Sequence, residues 1–168
     1  MDKDVITRKT SDLSTAECKQ LIERLSDEFE NDYLRKMHSQ LSVFKHKDYR
    51  MSYIGGKGFI LWWEFDDLVF IEYLLVCKQY RNQGFGSKLL NAVKQLNRVV
   101  ILEVESENKS LKHFYSKNGF KESAIKYEPI QINEGVQCGL ELMSFNHELS
   151  IQEYDLFISI ISADELQF

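Results

Sequence analysis

Residues 68–90, LVFIEYLLVCKQYRNQGFGSKLL, pass from a strand pattern through a glycine turn into a helix pattern. Leu68 to Val76 is a near-continuous apolar run interrupted by Glu72, and a strand that is apolar on both faces usually lies at the centre of its sheet. Gly84 and Gly86 mark the turn, and apolar residues at helical spacing follow them. The segment predicts a central strand, a glycine turn and a helix in direct succession.

A strand that enters a helix through a glycine turn can bind an anion. The first turn of a helix leaves N–H groups unpaired, and the helix dipole adds roughly half a positive charge there. Glycines also let phosphate oxygens approach the backbone. Two nucleotide-binding motifs do not fit, because Arg81 stands where a Walker loop needs its first glycine and Leu89 where the dinucleotide fingerprint needs its third. The alternative is a turn that merely connects a strand to a helix.

A family resemblance favours the anion site. The residues RNQGFG at 81–86 resemble the cofactor-binding signature R/Q-x-x-G-x-G/A of the GNAT superfamily of N-acetyltransferases. Ile71–Val76 looks like that family's fourth strand, and Asn108 with FYSKNGF at 114–120 resembles its following segment. The resemblance extends over Val5–Phe145. It implies an α/β (α+β) fold, in which helices flank a mixed, mostly antiparallel sheet with a central strand-turn-helix cofactor site.

The cofactor that the resemblance implies is acetyl-CoA (coenzyme A). Backbone N–H groups of the turn would hold its pyrophosphate, and the strand before the turn would pair with its pantetheine arm. Arg81 would support the turn or reach a phosphate, and Asn108 would lie near the cofactor arm or only cap a helix. The residues assigned to the cofactor are Leu74, Leu75, Val76, Arg81, Gln83, Gly84, Phe85, Gly86, Ser87 and Asn108.

Acetylation of an amine requires a base for the ammonium and an acid for the departing thiolate. Glu72 resembles an acidic position on the fourth strand that many GNAT enzymes use, so it is the candidate base; the alternatives are a solvent-facing carboxylate or one paired with a lysine. Glu64 is a second candidate. Tyr115 matches the tyrosine that often serves as the acid in this family, or is an ordinary packing aromatic. We expect Cys77 to be a buried thiol without an activating neighbour.

The rest of the chain predicts the elements that complete such a domain, which we expect to span residues 1–168 as a single unit. Trp62 and Trp63 should lie on opposite faces of a strand. The other predicted elements are a strand at Val5–Lys9, a helix opened by a Ser14–Glu17 capping box, a helical stretch through Phe29–Met37, a hairpin over residues 51–65, a final antiparallel pair at Ala124–Tyr127 and Val136–Phe145, and a C-terminal helix at 150–162.

The amino-acid composition limits the classes of partner and ligand that we expect. The formal net charge is −5, which disfavours a nucleic-acid duplex. The three cysteines lie far apart and the four histidines lack ligand spacing, so we expect no metal. No apolar run is long enough to span a membrane. Because no apolar signal sequence follows Met1, the expected location is cytoplasmic, with no membrane partner.

The sequence therefore predicts an enzyme that transfers an acetyl group from acetyl-CoA to a primary amine by direct attack in a ternary complex. The segments Phe29–Arg50 and Glu128–Gln137 would select the amine. One alternative is a non-catalytic acyl-CoA-binding sensor or scaffold; another is an interaction protein with an incidental glycine turn. The amphipathic tail would pack on the body of the protein or support a homodimer.

Overall fold

The computed structural model describes residues 4–28, 41–126, 130–133 and 136–161. The predicted helical stretch through Phe29–Met37 lies outside these residues. The described strands are β1 (Ile6–Lys9), β2 (Tyr49–Ile54), β3 (Gly58–Glu64), β4 (Leu68–Val76), β5 (Val99–Glu105), β6 (Lys121–Lys126), β7 (Ile130–Asn133), β8 (Val136–Cys138) and β9 (Leu140–Phe145). The described α-helices are α1 (Thr15–Glu28), α2 (Phe85–Lys94), α3 (Lys109–Lys117) and α4 (Ile151–Ile161).

Seven of the strands form one sheet in the order β1-β2-β3-β4-β5-β9-β6, and β7 pairs with β8 separately. Only β4 and β5 run parallel within the large sheet; its other pairs are antiparallel. Three strands lie on each side of β4, which is therefore the middle strand of the sheet, as its apolar run predicts. The expected mixed, mostly antiparallel sheet flanked by helices is confirmed.

The middle of β4 contains an irregularity at Glu72. Leu61 of β3 lies opposite Tyr73, and the next residue, Trp62, lies opposite Ile71, so Glu72 has no partner across the ladder. An extra residue of this kind is a β-bulge, which bends its strand and changes the direction of a side chain. The bulge allows Glu72 and Tyr73 to face the same side of the sheet.

The two central strands part just beyond this bulge. The pairing of β4 with β5 ends at Ile71↔Leu102. Beyond this point β4 continues to Val76 and pairs with β3 on one edge only. β5 continues to Glu105 and pairs with β9. Within this described stretch, the edge of β4 that faces β5 therefore lacks a protein strand after Ile71.

Apolar side chains cover both faces of the sheet. The α2 face, on which α2 and α3 pack, buries one cluster of strand and helix residues: Ile60, Trp62, Val69, Ile71, Leu89, Leu90, Val93, Val100, Leu102, Val104, Tyr115 and Phe120. The α1 face, on which α1 and α4 pack, buries the alternate residues: Met51, Phe59, Leu61, Trp63, Leu75 with α1, and Leu68, Val99, Ile101, Leu142 with Phe157 of α4. Trp62 and Trp63 thus lie on opposite faces, as predicted.

Local signals fix the helix ends. The Ser14 backbone N–H donates to Glu17 Oε2 at 2.7 Å, and the Glu17 N–H donates to Ser14 Oγ at 3.2 Å, which confirms the capping box. The C-terminal helix is present through Ile161. Its Phe157 is fully buried and contacts Phe70 of β4 edge-to-face at 5.0 Å, so the tail packs on its own sheet. Pairing of the tail with a second copy stays a prediction.

The final strand pair differs from the prediction. The strand expected over Val136–Phe145 divides into β8 and β9 at Gly139, and only β9 joins the large sheet, next to β6. The Gly139 carbonyl accepts a hydrogen bond from the Ser106 N–H at 2.8 Å, and a Cβ at Gly139 would lie 3.0 Å from Ser106 Oγ. A side chain at Gly139 would therefore require Ser106 to move, at the residue where the strand is interrupted. β6 begins at Lys121 rather than Ala124, and Tyr127 lies outside the described residues. None of the described helices combines the length and apolar character needed to cross a bilayer.

Candidate active site

The glycine turn forms as the sequence predicts. Asn82 and Gly84 adopt left-handed backbone conformations, with φ of 59° and 85°, and α2 begins at Phe85. Gly84 has no side chain to cap the helix, and its carbonyl accepts the first helical hydrogen bond, from the Lys88 N–H at 3.1 Å. The N–H groups of Phe85, Gly86 and Ser87 precede that bond, so they are the unpaired donors of the first turn. This arrangement fits the anionic pyrophosphate of acetyl-CoA.

The two glycines have different roles in the turn. Gly84 requires its positive φ, and a Cβ placed on it would meet nothing within 4 Å. A Cβ on Gly86 would lie 2.9 Å from Phe114 Cζ of α3. From the sequence, both glycines were expected to leave space for phosphate oxygens near the backbone. At Gly86 the structure gives another reason, because the missing side chain lets α3 pack against the start of α2.

Arg81 joins the turn to two other elements. Its Nε donates to the Val76 carbonyl at 2.9 Å, and its Nη2 contacts Glu28 Oε2 at 2.9 Å at the end of α1. These contacts are those of a residue that supports the turn, the first of its two predicted roles. Gln83 donates through Nε2 to the Gln79 carbonyl at 3.0 Å, within the same turn.

The open edge of β4 supplies the second half of a cofactor site. Leu74, Leu75 and Val76 lie opposite Ile60, Phe59 and Gly58 of β3, whereas β5 has already separated on the other side. An extended ligand with amide groups can add to such an edge as an extra strand. The pantetheine arm has this chemistry, so the predicted strand residues fit it.

The Glu72 side chain lies on the α1 face of the sheet, where its carboxylate accepts a hydrogen bond from Trp63 Nε1 at 2.7 Å. Trp63 in turn stacks on Tyr49, with ring centroids 4.3 Å apart. Burial raises the pKa of Glu72 to about 7; the Trp63 N–H donor and the nearby Tyr49 hydroxyl oppose this shift, and the charge of Glu103 adds to it. The structure therefore pairs Glu72 with an indole N–H, and neither of the sequence-based alternatives, a solvent-facing carboxylate or a lysine pair, describes it.

Glu103 is a residue that sequence reasoning missed. It lies on β5, one residue beyond the last pair with β4, and strand alternation places it with Val99 and Ile101 on the α1 face. Burial raises its pKa to about 7. The signal was present in the sequence, because Glu103 interrupts the apolar run of β5 as Glu72 interrupts that of β4.

Tyr115 lies on α3, on the opposite face of the sheet from the two carboxylates. Its side chain is 6% exposed and contacts Phe120 edge-to-face at 5.7 Å. Burial raises the pKa of Tyr115 to about 12, so its hydroxyl keeps its proton at neutral pH. Asn108 caps the same helix, accepting the Leu111 N–H through Oδ1 at 3.1 Å. This contact is the capping role predicted as one of its two alternatives.

Two other residues from the sequence analysis have defined partners. Glu64 is held between two arginines, with Oε2 at 3.2 Å from Arg50 Nε and Oε1 at 3.2 Å from Arg98 Nη2. Both oxygens of this second candidate base are therefore engaged in ion pairs. Cys77 is half-buried, and Arg24 Nη2 lies 2.6 Å from its sulfur. Cys77 was expected to be a buried thiol without an activating neighbour; it is instead half-buried beside an arginine, because a contact between residues of α1 and the segment after β4 is a tertiary feature.

Comparison with known proteins identifies the family. The acetyltransferase (GNAT) domain family matches residues 38–122. A Bacillus subtilis (strain 168) protein named as an acetyltransferase, YjbC, is 30% identical over 106 residues, which are 59% of this chain and 55% of that protein. The match thus spans about half the length of this relative.

Solved structures share the fold. A structure from Bacteroides thetaiotaomicron described as an acetyltransferase of the GNAT family superposes with a TM-score of 0.70 at 22% identity, covering 94% of each chain. The spermidine N-acetyltransferase of Vibrio cholerae in complex with CoA and spermine superposes with a TM-score of 0.62 at 16% identity, covering 86% of this chain and 96% of that one. Since the family match covers half of the sequence and the strand-turn-helix lies within it, the chain belongs to the GNAT acetyltransferase domain family.

Proposed function

We propose that this protein transfers an acetyl group from acetyl-CoA to a primary amine by direct attack in a ternary complex. The observation that carries the proposal is the place where β4 separates from β5, because backbone donors suited to phosphate and a carboxylate suited to an amine both lie beside it. The unpaired N–H groups at the start of α2 lie at the end of the open strand edge, and the Glu72 carboxylate lies beside the same opening on the α1 face. Donor and acceptor could therefore approach from different sides.

In this proposal the backbone N–H groups of Phe85, Gly86 and Ser87 hold the pyrophosphate, and the edge of Leu74–Val76 pairs with the pantetheine arm. Arg81 keeps the turn in place through Glu28 and the end of β4. When bound, acetyl-CoA supplies the thioester whose carbonyl carbon is transferred. In this proposal a backbone N–H on the open edge of β4 polarises the thioester carbonyl, the role that the family resemblance implies.

The acid and base lie on opposite sides of the opening. Glu72 takes a proton from the acceptor ammonium, for which a pKa of about 7 is close to the optimum at neutral pH. The neutral amine then forms the C–N bond to the acetyl carbonyl carbon as the C–S bond breaks. Tyr115 gives its proton to the sulfur and regains one from the new amide nitrogen, so one proton in total leaves through the carboxylate. These steps need no covalent enzyme intermediate.

The proposed acceptor is a primary amine on a small molecule or on a protein. The Vibrio cholerae structure contains CoA and spermine, which supports a cofactor and an amine of these classes in the shared fold. The acidic balance of the chain, with a net charge of −5, is compatible with a cationic acceptor. A single domain and a cytoplasmic location stay predictions from the sequence.

The experiment is release of free CoA thiol from acetyl-CoA, measured with and without a panel of primary amines. We expect amine-dependent release that falls about a hundredfold or more in Glu72→Gln. The matched control is Glu105→Gln, an exposed carboxylate on β5 that the proposal leaves out of the acetyl transfer. Acetyl-CoA binding without thiol release for the whole panel would contradict the proposal and favour a non-catalytic acyl-CoA-binding module.

A further inference from the structure

Along β4, the side chains on the α1 face pass from beneath one helix to beneath another. Leu68 is buried in the cluster under α4, and Leu75 is buried in the cluster under α1. Phe70, Glu72 and Tyr73 come between them and are half-buried. We call these three residues the β4 strip. The strip therefore lies between the two parts of β4 that α1 and α4 cover.

Phe70 is the residue of the β4 strip that α4 contacts. Its ring meets the ring of Phe157 edge-to-face, with the centroids 5.0 Å apart, and Phe157 is fully buried. The partner of Phe70 on β5 is Ile101, which is buried in the same cluster as Phe157. Phe70 precedes Glu72 by two residues on one face of the strand. The ring of Phe70 therefore lies between α4 and the proposed base.

Aromatic rings also border Glu72 on the side of β3. Trp63, which donates to Glu72, stacks on the half-buried ring of Phe65 with the centroids 6.0 Å apart. Phe65 packs, like Phe70, against the clusters under both helices. An amine that reaches Glu72 would consequently place the carbons next to its nitrogen against aromatic side chains. The chemistry of this surface favours an apolar stem on the acceptor.

The room for that stem depends on α4. Protein interiors are close-packed, so a ring with a fully buried neighbour behind it cannot retreat without moving that neighbour. Phe157 occupies the space behind Phe70, and Phe157 is held in turn by the buried residues Leu68 and Ile101. The position of the Phe70 ring, and with it the width of the β4 strip, is thus set by the C-terminal helix.

We propose that α4 determines the size of the acceptor: Phe157 holds the Phe70 ring beside Glu72 and so restricts the acceptor to primary amines with a slim apolar stem. The inference rests on the proposed function, in which the amine approaches Glu72 on the α1 face, and adds the shape of that amine. Phe70 is then a specificity residue that contacts the stem, and Phe157 is a positioning residue that acts through it.

Two substitutions widen the strip by different routes. Phe157→Leu shortens the side chain behind Phe70, so the Phe70 ring can move away from Glu72 into the vacated space. Phe70→Leu removes the ring itself. The matched control is Val93→Ala, which truncates a fully buried side chain of α2 on the opposite face of the sheet. This control destabilises the core without bordering the β4 strip.

The test compares two primary amines that have the same number of carbons, heptylamine with a slim stem and cyclohexylmethylamine with a wide one. Steady-state assays with acetyl-CoA give kcat/KM for each amine. Calorimetry with CoA present gives the Kd of each amine under conditions in which no acetyl group is available for transfer. Melting curves check that every variant is folded, and Phe157→Met replaces Phe157→Leu if the latter does not fold.

The wild-type protein should favour heptylamine in both measurements. The ratio of kcat/KM for cyclohexylmethylamine to that for heptylamine should rise about tenfold or more in Phe157→Leu and in Phe70→Leu, the effect of enlarging an apolar pocket by a methylene or more. The ratio of the two affinities should change in the same direction. Val93→Ala should lower Tm and keep the wild-type ratios, since a merely structural loss does not alter the choice of amine.

Wild-type ratios in a folded Phe157 variant would overturn the role of α4, even if Phe70→Leu changed them. A wild-type preference for cyclohexylmethylamine, or an equal rise in Val93→Ala, would also overturn it. Amine binding without acetylation would contradict the proposed function instead, and the ratio of affinities would still decide the role of α4. A wild-type protein that bound neither amine would overturn both, because the β4 strip would then hold no acceptor.

Discussion

Glu72→Gln is predicted to stabilise the protein at neutral and alkaline pH while it lowers activity. The folded-state pKa of Glu72 is about 7, raised by burial from an ordinary value of 4.5. The folded protein therefore binds this proton more tightly than the unfolded chain, and the wild-type free energy of unfolding falls as pH rises from 4.5 to 7. At 1.36 kcal/mol for each pKa unit, the loss is about 3 kcal/mol. Gln carries no titrating proton, and its amide oxygen can still accept from Trp63.

The assay is urea unfolding of both proteins at about pH 4.5 and about pH 8. The variant should gain about 3 kcal/mol over the wild type between these two pH values, equivalent to roughly 6–12 °C in Tm for a domain of this size. Contributions from titrating groups that do not interact with Glu72 are common to both proteins and cancel in the difference, and the relief of repulsion on Glu103 acts in the same direction as the loss of the Glu72 charge. Parallel loss of stability in the two proteins would refute the reasoning, because it would mean that Glu72 does not titrate in this range when folded.

Three further predictions concern the acid, the strand pair and the turn. Tyr115→Phe keeps the buried ring and removes the hydroxyl, so kcat should fall about tenfold or more with an unchanged Kd for acetyl-CoA; an unchanged kcat in steady-state assays would remove Tyr115 from the acid role. Gly58→Ala places a Cβ 2.6 Å from a backbone carbonyl oxygen of β4, so it should destabilise by about 1–3 kcal/mol in urea unfolding. Gly55→Ala, whose Cβ meets nothing within 4 Å, should not. Arg81→Gln should raise the calorimetric Kd for acetyl-CoA, and Glu28→Gln should do the same if Arg81 acts by holding the turn, whereas a direct phosphate contact predicts loss only in Arg81→Gln.

Patterns within one segment were predictable from the sequence. The bounds of β4 agree with its apolar run from Leu68 to Val76, because a nine-residue apolar segment between turn signals has one reasonable placement. The capping box at Ser14 and the left-handed turn at Gly84 depend only on neighbouring residues. The GNAT resemblance, carried by residues 68–120, was confirmed by the family match.

Features that depend on pairing between segments were not predictable. The bulge at Glu72 follows from the register of β3 against β4, which no pattern within β4 specifies. Glu103 resembled a residue at the end of a buried strand, and its importance depends on where β5 leaves β4. The contact of Arg24 with Cys77 joins residues 53 positions apart. Each of these features belongs to the tertiary structure, and together they form much of the candidate site.

The bulge also explains how one strand could take both roles that the proposed function assigns to β4. Regular alternation would direct Glu72 and Tyr73 to opposite faces, and only the extra residue brings both to the α1 face. The bulge occurs where β5 separates, so the open strand edge and the Glu72 carboxylate, which we propose for cofactor and acceptor, lie at the same irregularity. Burial of the Glu72 carboxylate, which raises its pKa to about 7 despite the Trp63 hydrogen bond, makes this arrangement costly to stability at neutral pH.

The measurement that tests the central claim most directly is the thermal stability of the purified protein with excess acetyl-CoA, with NAD and ATP as control ligands. Acetyl-CoA at about 100 times its Kd should stabilise the folded state by about 2.7 kcal/mol, which is roughly 5–10 °C in Tm, and the control ligands should not. A folded protein whose Tm does not change with acetyl-CoA at any concentration would contradict the assignment of the α2 N-terminus and the open edge of β4 as the cofactor site.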